Sequence, residues 1–76
     1  MNIGEVVRRI RKARGLSTAE LGNRMGITSK MVEHLERGFR EWYVRHVISA
    51  ARALGIRPFL LVMSDRDRRR ALRIFR

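Results

Sequence analysis

The chain has no cysteine, so disulfide cross-links and thiolate metal sites are both excluded, and a reducing compartment is permitted. Acids are scarce: seven Asp and Glu stand against eighteen Lys and Arg, a formal charge of +11 in 76 residues. So unbalanced a small chain sets up a potential of several kT over much of its surface and points to a polyanionic partner. Long apolar runs are missing too. The longest, Phe59 to Met63, falls far short of the roughly 20 residues that a membrane span needs. The opening MNIGEVVRR carries an acid at position 5 and no long apolar stretch, which argues against a secretory signal and leads us to expect a soluble, cytoplasmic protein. There is no glycine-rich phosphate loop, and no spacing suggests a set of Ser, His and acid. The two histidines have no carboxylates at ligand spacing. Neither catalysis nor a metal or cofactor is therefore expected.

What the chain does have is apolar periodicity. At 45% hydrophobic content it holds enough apolar residues to offset chain entropy, which a disordered basic tail would not, and its length allows one small domain. Ile3, Val6, Val7, Ile10 and Ala13 recur at helical spacing and predict a first helix, with Gly15 just past its end. Ser17 and Glu20 stand three apart as a capping box, and Leu16 and Leu21 as the hydrophobic staple of a second helix, which stops after Met25 at Gly26. Thr28 can cap a third helix that buries Val32 and Leu35 and closes at Gly38, with Ile27 and Val32 at staple spacing. Val47, Ile48, Ala51 and Leu54 predict the buried face of a fourth helix from Val44, ended by Gly55, and His46 reads as a helix-face residue beside that stripe. Pro58 suits the first turn of a short fifth helix. Ser64 to Asp67 can cap a final helix; the competing reading is a hairpin pairing Phe59–Met63 with 71–75, disfavoured because DRDRRR holds no Gly, Asn or Pro.

Two short helices joined by a Gly-containing turn form the arrangement that presents its second helix to the DNA major groove. In order along the chain, the sequence resembles the Xre-like, Cro and phage-repressor family of helix-turn-helix proteins. The matching residues are Ile3-Gly4-Glu5, Arg11, Gly15-Leu16-Ser17, Glu20-Leu21, Met25-Gly26-Ile27, Val32, Leu35-Glu36-Arg37-Gly38 and Ala51 to Ile56, running without gaps from about Ile3 to Val62. The resemblance implies an all-α, five-helix, lambda-repressor-like domain over 1–63. A C-terminal basic and apolar segment, 64–76, adds a further helix or a dimerisation element. It also implies that 28–37 is the recognition helix, and that Arg11 and Glu36 form a partly buried pair tying the first helix to the third. The alternative for Glu36 is a local pair with Arg40.

By position, Ser29, Lys30 and Glu33 project from the exposed N-terminal part of that helix. Lys30 can donate to guanine O6 and N7, Ser29 can serve a base or a phosphate, and Glu33 can accept from the cytosine amino group. Glu33 can equally pair with Arg37 at i+4. Thr28, His34, Arg37 and Arg40 are expected near phosphates, joined by some of Arg8, Arg9 and Arg24. Thr18 stands where the family often carries Gln, and its shorter side chain reaches less far. The segment FREWY, 39–43, departs from the family's usual polar loop: its aromatics either pack beneath the loop, or one of Phe39 and Trp42 lies against sugar or backbone.

Phe59, Leu60, Val62, Met63, Leu72, Ile74 and Phe75 are more apolar residues than so small a chain easily hides, and they are expected to form a homodimer contact. The function expected is a sequence-specific regulator of transcription that binds double-stranded DNA, a small repressor of phage, prophage or mobile-element type. An antitoxin covering a toxin partner with the same fold, and a nonspecific binder of RNA or membrane surfaces, are the alternatives.

Overall fold

The computed structural model describes residues 2–63 together with Arg66, Asp67 and Arg70. Five helices follow one another: α1 (Ile3–Ala13), α2 (Thr18–Met25), α3 (Ser29–Arg37), α4 (Val44–Leu54) and α5 (Phe59–Val62). Among the described residues there is no strand. Leu72, Ile74 and Phe75 lie outside the described residues, as does most of the final helix or hairpin expected there.

Local chemistry sets each boundary. The backbone N–H of Glu5 donates to Asn2 Oδ1 at 2.9 Å, making Asn2 the cap of α1. Ser17 and Glu20 close the expected capping box on α2, each side chain satisfying the other's backbone N–H. Those backbone and hydroxyl donors hold the Glu20 carboxyl below its ordinary pKa. Thr28 Oγ1 accepts from the Met31 N–H at 3.1 Å and so starts α3. Gly26 and Gly38 end α2 and α3 at φ +76° and +79°, a left-handed conformation that a side chain would strain.

The core is built from the inward stripe of each helix: Val6 and Val7, Leu21, Val32, Ala50, Ala51 and Leu54, and Leu61. Burying a Leu or Val of this kind contributes about 1.5–3 kcal/mol, so these few residues carry most of the drive to fold. Two glycines permit close helix packing. A Cβ on Gly4 would stand 2.5 Å from the Leu35 carbonyl oxygen and 2.6 Å from that of Glu36, so α1 lies directly on the α3 backbone. A Cβ on Gly22 would meet the Ile27 carbonyl oxygen at 2.7 Å, which fixes α2 against the turn leading into α3.

The fourth helix turns Val47, Ala51 and Leu54 of the expected face inward, but Ile48 is 43% exposed and Ala50 is fully buried in its stead. His46, expected on the helix face beside that stripe, is only 7% exposed, and its Nδ1 accepts the Tyr43 N–H at 3.2 Å, satisfying a donor that the helix start leaves without a partner.

The FREWY segment divides. Trp42 is half-buried against the core, and its indole N–H donates to the Leu35 carbonyl at 2.9 Å. Phe39 and Tyr43 are exposed, so the three aromatics do not form a common core beneath the loop. Leu60, expected at a self-association surface, is 4% exposed and belongs to the monomer interior, whereas Phe59 and Val62 face outward.

Candidate nucleic-acid interface

The pair Arg11–Glu36 anchors the third helix. Arg11 Nε donates to Glu36 Oε2 at 2.7 Å and Nη2 to Oε1 at 3.1 Å, a two-point fork, while Nη1 donates to the Leu16 carbonyl at 2.8 Å. One guanidinium thus joins α1, the approach to α2, and α3. Glu36 has taken the interhelix partner and not Arg40.

With Val32, Leu35 and Glu36 buried on one side of α3, geometry places Lys30, Glu33 and Arg37 on the other, all exposed. Among the described residues, Glu33 makes no ion pair with Arg37. Its carboxylate is therefore available to an incoming donor. Ser29 is half-exposed at the first turn and Thr28 exposed at the cap. His34, half-exposed, stands edge-on to Phe39 with ring centroids 6.0 Å apart. Arg40 is exposed on the loop behind the helix, and Thr18, at the start of α2, is half-exposed.

A cleft of about 650 Å³ continues from this stripe to the first helix. It is lined by Asn2, Glu5, Arg8 and Arg9 of the α1 region, by Thr18, and by Glu33, Arg37 and Phe39, with Arg11 and Glu36 also contributing to its wall. Of the residues weighed from sequence for the site, the cleft gathers Thr18, Glu33 and Arg37, together with Arg8, Arg9 and Phe39. Lys30, Ser29, Thr28, His34 and Arg40 lie outside it. Asn2 and Glu5 were not expected there.

Among the described residues, no group of three His, Cys, Asp or Glu is placed to hold a metal ion. Likewise no helix is long and apolar enough to cross a membrane.

An α2–turn–α3 unit braced by α1 and α4, with the outer face of α3 exposed, defines a helix-turn-helix domain. The chain belongs to the helix-turn-helix domain family, whose model matches residues 2–59. Among solved structures, it is similar to the restriction-modification controller protein C.AhdI from Aeromonas hydrophila. That match is 34% identical with a TM-score of 0.75, covering 78% of this chain and 89% of the other. It is also similar to the P22 c2 repressor protein, solved in complex with a synthetic operator, at 26% identity and a TM-score of 0.74 over 80% and 92% of the two chains. A third match is the clp gene regulator ClgR from C. glutamicum, 25% identical, TM-score 0.75, covering 79% and 78%. No curated protein matches the sequence.

Proposed function

We propose that this protein is a DNA-binding regulator of transcription that reads double-stranded DNA by sequence, with α3 in the major groove. The observation that carries the reading is the outer stripe of α3. A lysine, a glutamate and an arginine stand exposed there without ion pairs among the described residues, on a helix whose inner side is fixed by Arg11 and Glu36. Polar groups left free on a rigid helix are what base-edge recognition requires, since each must exchange water for a base without first breaking a bond within the protein.

Lys30 donates to guanine and Glu33 accepts from the cytosine amino group, with Ser29 serving a neighbouring base or phosphate. Arg37, Arg40, Thr28, His34 and Thr18 position the helix on the backbone. The proteins matched include repressors and controllers, which favours a small repressor of phage or mobile-element type over the antitoxin and polyanion alternatives. Such a protein acts in the cytoplasm as a homodimer on two half-sites about 34–36 Å apart. Exposed Phe59 and Val62, half-buried Met63, and the 64–76 segment supply the contact, and residues 1–63 form the reading unit.

Selection from a random duplex library at about 0.15 M salt tests this, because phosphate binding alone is weakened there. A two-fold motif that loses its cytosine preference in Glu33→Ala is the expected result. Recovery of bound DNA without any motif would refute sequence reading.

A further inference from the structure

Glu33 stands apart from the acids that build the fold. Glu20 is held in the capping box of α2 and Glu36 in the fork with Arg11, each satisfied by groups of the protein itself. Glu33 is exposed on the outer face of α3 and has no hydrogen bond or ion pair among the described residues, although Lys30 and Arg37 lie about one turn to either side. A carboxylate on the DNA-facing side of a +11 chain repels phosphate. It weakens binding everywhere except where a base donates to it.

On the major-groove edge the donors are the N6 amino group of adenine and the N4 amino group of cytosine. Adenine sets its N7 acceptor beside the amino group, and the N7 lone pair repels a carboxylate. Cytosine has only a C–H in that place, so the acid selects cytosine. Of the N4 hydrogens, one is committed to guanine in the base pair and the other points into the groove. That second hydrogen is the one Glu33 can accept.

We propose that Glu33 makes operator binding sensitive to modification of the DNA at this amino group, so that cytosine methylated on N4 is rejected by α3. This rests on the reading of α3 as the base-reading helix with Glu33 on a cytosine. An N4-methylcytosine that stays paired with guanine must turn its methyl group into the groove, where the hydrogen for Glu33 had been. The carboxylate then loses its donor and is shut off from water by the base edge. The helix cannot retreat as a body. Its inner side is pinned by the Arg11–Glu36 fork, and α1 lies so close that a Cβ on Gly4 would stand 2.5 Å from the Leu35 carbonyl oxygen. Methylation at C5 is a different case, because the N4 hydrogen remains. Operator occupancy therefore falls where an enzyme that methylates the exocyclic amine of cytosine has acted on the site.

The test is equilibrium binding of the full chain at about 0.15 M salt, where base contacts outweigh phosphate binding. The duplex carries the selected motif with cytosine, N4-methylcytosine or 5-methylcytosine at the position whose preference is lost in Glu33→Ala. Because a hydrogen bond to a charged group is removed, N4-methylation should weaken binding by about 10- to 100-fold. The loss from 5-methylation should be smaller. Glu33→Ala, a change at an exposed position, should bind the cytosine and N4-methylcytosine duplexes alike, having no carboxylate to strand.

An affinity unchanged by N4-methylation would overturn the proposal while leaving cytosine reading by Glu33 in place. Equal losses from the two methyl groups, or an undiminished N4-methyl loss in Glu33→Ala, would trace the effect to bulk in the groove and would overturn it as well. If Glu33→Ala loses no cytosine preference, the base assignment itself fails and the proposal falls with it.

Discussion

Replacing Glu36 with Gln removes one charge from the fork that joins α1 to α3 and leaves the shape nearly unchanged. The Arg11 and Glu36 side chains are 9% and 4% exposed, so water cannot take over from the lost carboxylate. Removing one partner of a buried pair typically costs about 3–5 kcal/mol, chiefly because the surviving charge is left buried without compensation. Gln keeps an acceptor for one guanidinium N–H, which places the expected loss near the lower end, about 3 kcal/mol. A chain of this length has a total stability of about 4–11 kcal/mol, so the variant should be marginal. Urea unfolding followed by circular dichroism reads the change directly. With an m-value of about 1 kcal/mol/M for so small a domain, the midpoint should move down by about 3 M. The double variant Arg11→Met/Glu36→Leu removes both charges and forfeits only the Leu16 carbonyl bond, so it should lose less than Glu36→Gln alone. A loss under about 1 kcal/mol in the single variant, or a double variant as unstable as the single, would refute the argument from uncompensated charge.

Gly4→Ala should destabilise by about 1–3 kcal/mol in thermal melts, since its Cβ would press on two α3 carbonyl oxygens that backbone alone can move. Trp42→Phe should cost about 0.5–1.5 kcal/mol in the same assay, because it keeps an aromatic ring but loses the indole bond to the Leu35 carbonyl, which still accepts from the Gly38 N–H. Burial lowers the pKa of His46, with the Arg45 charge adding to the effect and a hydrogen bond with the Glu41 backbone opposing it. The unfolded chain therefore binds more protons, and the contribution of neutral His46 is complete above about pH 6.5 and lost as pH falls from there through the folded-state pKa. Urea midpoints measured from pH 7 down to 5 should decline, and a His46→Gln variant should flatten that limb; an equal decline in the variant would rule out His46 as the cause.

The elements most legible in the sequence were those defined by short-range chemistry. Ser17 with Glu20, Thr28 at the start of α3, and Gly26 and Gly38 at helix ends involve neighbours a few residues apart, and their meaning survives without knowledge of the rest of the fold. The face of α4 was legible only in part. Hydrophobicity favours Ile48 over Ala50, but which of them is buried depends on how α4 meets the rest of the core, which no local pattern records. For His46 periodicity assigned a face beside the stripe but not its role, which is to accept the Tyr43 N–H three residues earlier. At the interface, α3's exposed stripe could be read from the spacing of Val32 and Leu35. The cleft could not, because it joins residues of α1 to Glu33, Arg37 and Phe39 across more than twenty positions of sequence.

Trp42 is the chain's single tryptophan, and its indole donates to a carbonyl in the last turn of α3. The protein consequently carries an intrinsic fluorophore at the point where α3 passes into the loop bearing Arg40. Emission from that ring senses whether the last turn of α3 is intact and how the loop beneath it is hydrated. Titration with duplex DNA can therefore be followed by intrinsic fluorescence, with no label attached to protein or DNA, and the signal comes from the junction of α3 with the loop that follows it.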